Sequence, residues 1–160
     1  MSSLVAATCA LVLGAFVLLQ NYHSSRDRIV DEAIASHVRS LLATHLVDVG
    51  SSDQHTVKPW FNGKIDYAPP VQDLSANGFP LVGGRLDYFN GKTTAALVYK
   101  RNQHPINLLI TPGSGKRDSS PSALTRRGYN VVYWTRNEMD YWAVSDVNSQ
   151  ELQQFTRLLQ

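Results

Sequence analysis

Five histidines and one cysteine set the limits of metal and redox chemistry in this chain. With Cys9 alone, neither an intramolecular disulfide nor a thiolate-rich zinc site can form. His37 and His45 are eight positions apart on one predicted helix, about 12 Å along its axis. Ligands sharing an ion must converge to bonds of about 2.0–2.1 Å, so that pair does not share one. His55 and His104 could approach each other through a sheet, but the residues favour histidines hydrogen-bonded in a polar shell. No metal and no cofactor is expected. The string Gly113-Ser114-Gly115-Lys116 looks like the end of a phosphate-binding loop. That template needs Gly five residues before its last Gly and Ser or Thr after Lys. Ile110 and Arg117 stand there instead. Pro112 occupies the place where a nucleophile elbow before Ser114 needs Gly. No carboxylate pair lies at helical spacing in an apolar setting, as tuned acid–base catalysis favours. Asp140 and Asp146 merely flank a strand near Trp134 and Trp142. No catalytic residue is nominated, and the chain is not read as an enzyme.

The aromatic residues carry more. Trp60, Phe61, Tyr88, Phe89, Tyr99, Tyr129, Tyr133, Trp134, Tyr141 and Trp142 fall on or beside predicted strands. Sheet packing accounts for most of them, and any surplus left exposed marks a contact surface. The expected ligand- or partner-binding residues are His55, Lys58, Trp60 and Phe61 in a turn-rich segment. His104, Trp134 and Trp142 on the sheet are second choices. Lys100-Arg101, Lys116-Arg117 and Arg126-Arg127 read as solvated turns. Fifteen Lys and Arg against thirteen Asp and Glu leave a net charge of +2. That near balance gives no nucleic-acid surface.

The elements that must position these side chains fit in 160 residues, enough for one domain with a real core. At 43% hydrophobic and 18% charged residues, the chain is outside the disordered class. The charges are unevenly spread: none precedes Arg26. Residues 4–19 contain nothing more polar than Thr8. With flanks they make about 17–18 helical residues, roughly 26 Å, the short end of a membrane span. No Lys or Arg precedes them, and the following LLQNYHSS offers no small-x-small cleavage site, so an uncleaved anchor over residues 1–22 is preferred to a signal peptide. Arg26 and Arg28 mildly favour a cytoplasmic carboxyl end. Residues 23–50 predict an amphipathic helix capped at Ser24 or Ser25 and ending near Gly50. Its apolar stripe is Val30, Ile34, Val38, Leu41, Leu42, His45 and Leu46; Arg28, Asp31, Glu32, Arg39 and Ser40 form its wetter side. This helix either continues the membrane helix outward or lies against the domain.

Residues 51–160 predict the domain proper. The Gly-, Pro- and Asn-rich stretch 51–80 reads as short edge strands and turns. Asn90-Gly91 is the preferred chemistry of a type I′ hairpin between strands 80–89 and 92–101. A third strand is expected over 106–111, then a mobile loop over 112–127. A second hairpin, 129–136 with 139–144, turns at Asn137-Glu138. A helix over 148–159 closes the chain, capped by Asn148 or Ser149 and striped by Leu152, Phe155, Leu158 and Leu159. The sum is an α+β chain: a single transmembrane helix, a second helix, an antiparallel meander of about five strands with helices on one face, and a C-terminal helix.

Several strings are also familiar as words. HVRSLLATHLVDVGSSDQHTVKPWFNGKIDYAPP (37–70), GFPLVGGRLDYFNG (78–91), AALVYKRNQHPINLLITP (95–112) and RGYNVVYWTRNEMDYWAVSDVNSQEL (127–152) resemble bacterial membrane-anchored anti-sigma factors, the single-pass transmembrane transcriptional regulators. The resemblance implies a carboxyl-terminal domain in the periplasm, carried on a single-pass inner-membrane anchor, which reverses the charge-rule orientation. It also implies control of an extracytoplasmic-function sigma factor by a cytoplasmic amino-terminal domain, with the outer domain conditioning its release. Only Met1, Ser2 and Ser3 precede the anchor, so the sigma-binding segment is expected to be missing and a sigma factor to be reached only through it. The expected partners are therefore the membrane and a periplasmic signalling partner, with no nucleic acid. No catalytic residue or ligand set comes with the resemblance. The rival readings are a periplasmic metal or redox sensor using His55, His104 and His37, and a small membrane-anchored hydrolase.

Overall fold

The computed structural model describes residues 2–42, 45–113, 115 and 117–160; before residue 25 it describes side chains only at 13, 14, 16 and 20. The chain divides into two compact units, Met1–Glu32 and Ala33–Gln160. One helix, α1 (Ser2–Leu42), contributes to both. The expected membrane segment 4–19 runs within α1, but most of its side chains lie outside the described residues. Among the described residues no helix is long and apolar enough to cross a membrane.

The second unit is α+β. After α1 come β1 (Val49–Gly50), α2 (Gln54–Trp60), a 3-10 turn at Ser75–Asn77, β2 (Leu81–Phe89), β3 (Lys92–Arg101) and β4 (His104–Pro112). They are followed by β5 (Ser122–Arg126), β6 (Tyr129–Arg136), β7 (Met139–Ser145) and α3 (Ser149–Leu158). The strands form one antiparallel sheet in the order β1-β2-β3-β4-β7-β6-β5. After β4 the chain crosses to the far edge and returns by two hairpins. Three tight turns explain why the pairing closes where it does. Asn90 and Gly91, Arg127 and Gly128, and Asn137 and Glu138 all have positive φ, the backbone that two-residue hairpin loops need to match strand twist.

Strand alternation sorts the side chains into two buried layers. On the first face, Ala95, Leu97 and Tyr99 of β3 and Ile106, Leu108 and Ile110 of β4 pack with Val132, Trp134, Tyr141 and Ala143. Val57 and Phe61 near α2, Phe79, and Leu152 and Phe155 of α3 close this core. Phe155 sits 4.9 Å from Tyr99 and 5.4 Å from Phe79 between ring centroids. α3 starts where its cap predicts: the Asn148 side chain accepts from the Glu151 N–H.

On the opposite face lie Ala96, Val98, Leu109, Val131 and Val144, all buried, together with Arg85 and Asn107. Residues 33–42 of α1 lie over it, burying Ala33, Ile34, Ser36, His37 and Ser40. Here the sequence reading needs correction. α1 ends at Leu42 rather than near Gly50, and its apolar stripe holds only in part: Val30 and Ile34 are buried, but so are Ser36, His37 and Ser40. Leu41 and Leu42 are 40% and 79% exposed, whereas Ser40, assigned to the wet side, is buried. The reason is that the mainly apolar sheet face under the helix also carries Arg85 and Asn107, and Ser36 and Ser40 meet them with hydrogen bonds. Helices therefore cover both faces, not one.

Seven strands replace the expected five. β1 and β5 are the additions, both short edge strands without a buried residue. The stretch 51–80 holds a helix, α2, where edge strands were expected. Asp53 caps it by accepting from the His55 N–H, and Pro59 inside it disguised the pattern as a turn.

Candidate functional site

The most distinctive chemistry lies in the seam between α1 and the second sheet face. On α1, Ser36 and Ser40 are four residues apart and His37 three before Ser40, so all three share one side of the helix. On β2, Arg85 and Asp87 are two apart and point to the same face. Arg85 pairs across the ladder with the small Ala96, and Asp87 with Thr94.

Arg85 is only 2% exposed, the largest fully buried side chain of the domain. Its Nη2 donates to Asp87 Oδ2 at 2.7 Å and to Ser36 Oγ at 3.4 Å. Its Nη1 donates to the Leu46 carbonyl at 3.3 Å, just beyond the end of α1. The Ser36 hydroxyl donates to the same Asp87 oxygen at 2.6 Å. A buried cation is tolerated only when paired and hydrogen-bonded, and this network does both while tying helix to sheet. Asp48, which pairs with His45, also accepts from the Leu86 N–H at 2.9 Å.

The other half of the seam is less complete. Asn107 Nδ2 donates to Ser40 Oγ at 3.0 Å, and Ser40 in turn donates to the His37 carbonyl at 2.7 Å. His37 lies edge-on to Tyr129, 5.5 Å between centroids at 74°. Its ring is wholly buried. Among the described residues neither His37 nitrogen has a hydrogen-bond partner, and neither has Asn107 Oδ1. Burial pushes His37 down to about 4, and the Arg85 charge acts in the same direction. The Asp146 charge and the Asn107 amide oppose them without prevailing. The imidazole is thus held neutral at physiological pH.

No known protein family, curated protein or solved structure matches this chain.

The residues nominated from the sequence fall in four separate places. His55 and Lys58 are exposed on α2 and line an open cleft of about 340 Å³ with Gln54, Pro59 and Val71. Trp60 is half-buried, with the Lys64 ammonium 4.8 Å over its ring. Phe61, edge-on to Trp60 at 5.1 Å, is sealed in the first core and presents no surface. Trp134 is likewise buried, stacked on Tyr141 at 4.8 Å. Trp142 lies on the opposite face, stacked on Tyr133 at 4.7 Å and edge-on to Phe89 at 5.8 Å. His104 Nδ1 meets Asp146 Oδ1 at 3.0 Å on the surface. Only His55, Lys58 and Trp60 come together on one element. Among the described residues, no three His, Cys, Asp or Glu side chains converge as metal ligands would.

Of the seam residues, the sequence reading names His37 only as a ligand of the rival metal or redox sensor and Ser40 only as part of the helix's wetter side. Ser36, Arg85, Asp87 and Asn107 escape it. A signal did exist. Arg85 and Asp87 in GGRLDYF, and Asn107 in INLLI, are polar residues at alternating positions of strands that are otherwise apolar. Those are the positions where a second layer must supply hydrogen bonds.

Proposed function

We propose that this chain is a periplasmic sensor or interaction domain of a bacterial anti-sigma system, tethered to the inner membrane and without catalysis of its own. The observation that carries this reading is the seam. The helix that contains the apolar stretch 4–19 also ends on the sheet, held there by side-chain hydrogen bonds of Ser36 and Ser40. A ligand or partner changes the helix only if it binds differently to two states of the domain. A polar seam supplies such a pair of states, because its groups are satisfied either by each other or by water. The exposed His55 and Lys58, with the half-buried Trp60 beside them on α2, form the contact surface in this reading. The four strings that resemble anti-sigma regulators support the periplasmic side and the regulatory role. Contact with a sigma factor would belong to a cytoplasmic segment ahead of the anchor, as in those proteins.

Fusing alkaline phosphatase, which folds only outside the cytoplasm, after Gln160 tests the placement. Phosphatase activity in the membrane fraction is expected. An active cytoplasmic reporter at the same fusion point, with phosphatase silent, overturns the reading.

A further inference from the structure

We propose that the end of α1 is a proton-released latch: acidification undocks residues 33–42 from the sheet while the sheet and its first core stay folded. The proposal needs no membrane and no sigma factor, and so stands apart from the function proposed above.

The geometry that points to it is the division of the seam into a closed and an open half. In the closed half every strong group is matched, Arg85 by Asp87 and Asp87 by Ser36. In the open half, three buried polar atoms lack partners among the described residues: both His37 nitrogens and Asn107 Oδ1. A neutral imidazole already leaves one N–H unmatched there. An imidazolium would carry two N–H donors and a charge, and the Asn107 oxygen can accept at most one of them.

The charged and titratable groups around His37 do not rescue the imidazolium. From β2 come Arg85, which repels it, and Asp87, whose carboxylate is already held by Arg85 and Ser36. From β6 comes Tyr129, an uncharged ring at 74° to the imidazole. From the end of β7 comes Asp146, which is bound to His104 at the surface. β4 contributes the uncharged Asn107, and on α1 itself Arg39 is exposed.

The sign follows from linkage. His37 ionises at about 4 when docked and at 6.5 when solvated, so the undocked helix binds more protons at every pH below neutral. Docking is at full strength above 6.5 and weakens as the pH falls through 6.5 to 4. Relative to pH 7, the docking equilibrium drops about 20-fold at pH 5 and about 100-fold at pH 4.

Hydrogen exchange on the full chain in detergent micelles reads this directly, with exchange times scaled to the intrinsic rate at each pH. Protection in residues 33–42 should fall by those factors while the amides of β3 and β4 keep theirs. In His37→Gln, whose side chain cannot ionise, helix protection should change less than about three-fold between pH 7 and pH 4. Unchanged protection in the natural chain at pH 4, or the same loss in H37Q, overturns the latch. Should H37Q fail to fold, NMR titration of the His37 ring in the natural chain decides. Release that tracks ring protonation supports the latch; a ring that titrates near 6.5 while residues 33–42 remain protected refutes it.

Discussion

Removing the Asp87 carboxylate is the sharpest way to ask whether the seam holds α1 to the sheet. In Asp87→Ala, Arg85 stays buried at 2% exposure and loses its one counter-charge at 2.7 Å. What remains to it are the Ser36 hydroxyl at 3.4 Å and the Leu46 carbonyl at 3.3 Å, both long and neutral. Breaking one side of a buried ion pair costs about 3–5 kcal/mol, since the surviving charge keeps its desolvation penalty. The Ser36 hydroxyl also loses its acceptor at 2.6 Å, about 1 kcal/mol more if no water replaces it. A total of about 4–6 kcal/mol is expected. Urea unfolding of the full chain in micelles, followed by the fluorescence of Trp60, Trp134 and Trp142, measures it. With a slope of about 2 kcal/mol per molar, the midpoint should fall by about 2–3 M. The double variant Arg85→Met/Asp87→Leu, which removes both charges and keeps the volume, should recover most of the loss. A loss below about 1 kcal/mol in the single variant, or a double variant no better than the single, would refute the reasoning.

Two further substitutions test the layers on either side of the seam. In Gly84→Ala, the new Cβ would come within 2.9 Å of Phe61 Cζ and 3.1 Å of Val57 Cγ1. Overpacking of that kind costs about 1–3 kcal/mol, so the thermal midpoint should drop by several degrees; an unchanged midpoint would show that α2 is not seated on β2. Glu138 has φ of 61° in the β6–β7 turn, where an L side chain costs about 1–2 kcal/mol. Glu138→Gly should recover that, less the added unfolded-chain entropy, for a net gain of about 0.5–1 kcal/mol; a lower midpoint would contradict the turn geometry.

The parts of the fold that were legible in the sequence are those fixed by local chemistry. Asn90-Gly91 announces its hairpin because both residues must take positive φ, and Asn148 announces α3 because its side chain caps the first turn. The β6–β7 hairpin reads from two apolar, aromatic-rich runs on either side of Asn137-Glu138. What was hidden depends on partners distant in sequence. Nothing near Ser40 says that Asn107 will meet it, so the residue looked solvated. Nothing in the strand around Arg85 says that α1 will cover it. β5 has too few apolar residues to separate it from the loop before it, and Pro59 masked a helix of only seven residues. The nominated aromatics Phe61 and Trp134 were legible as aromatics but not as core, because alternation alone does not say which face is closed.

The reading of α1 as the moving part rests on its end being seated against the sheet at neutral pH. Ring-to-ring nuclear Overhauser contacts between His37 and Tyr129 in the full-length chain measure this without perturbing it. With centroids 5.5 Å apart, clear cross-peaks are predicted at pH 7, together with a neutral His37 ring. Their absence, with His37 resonating as in water, would contradict the account at its foundation.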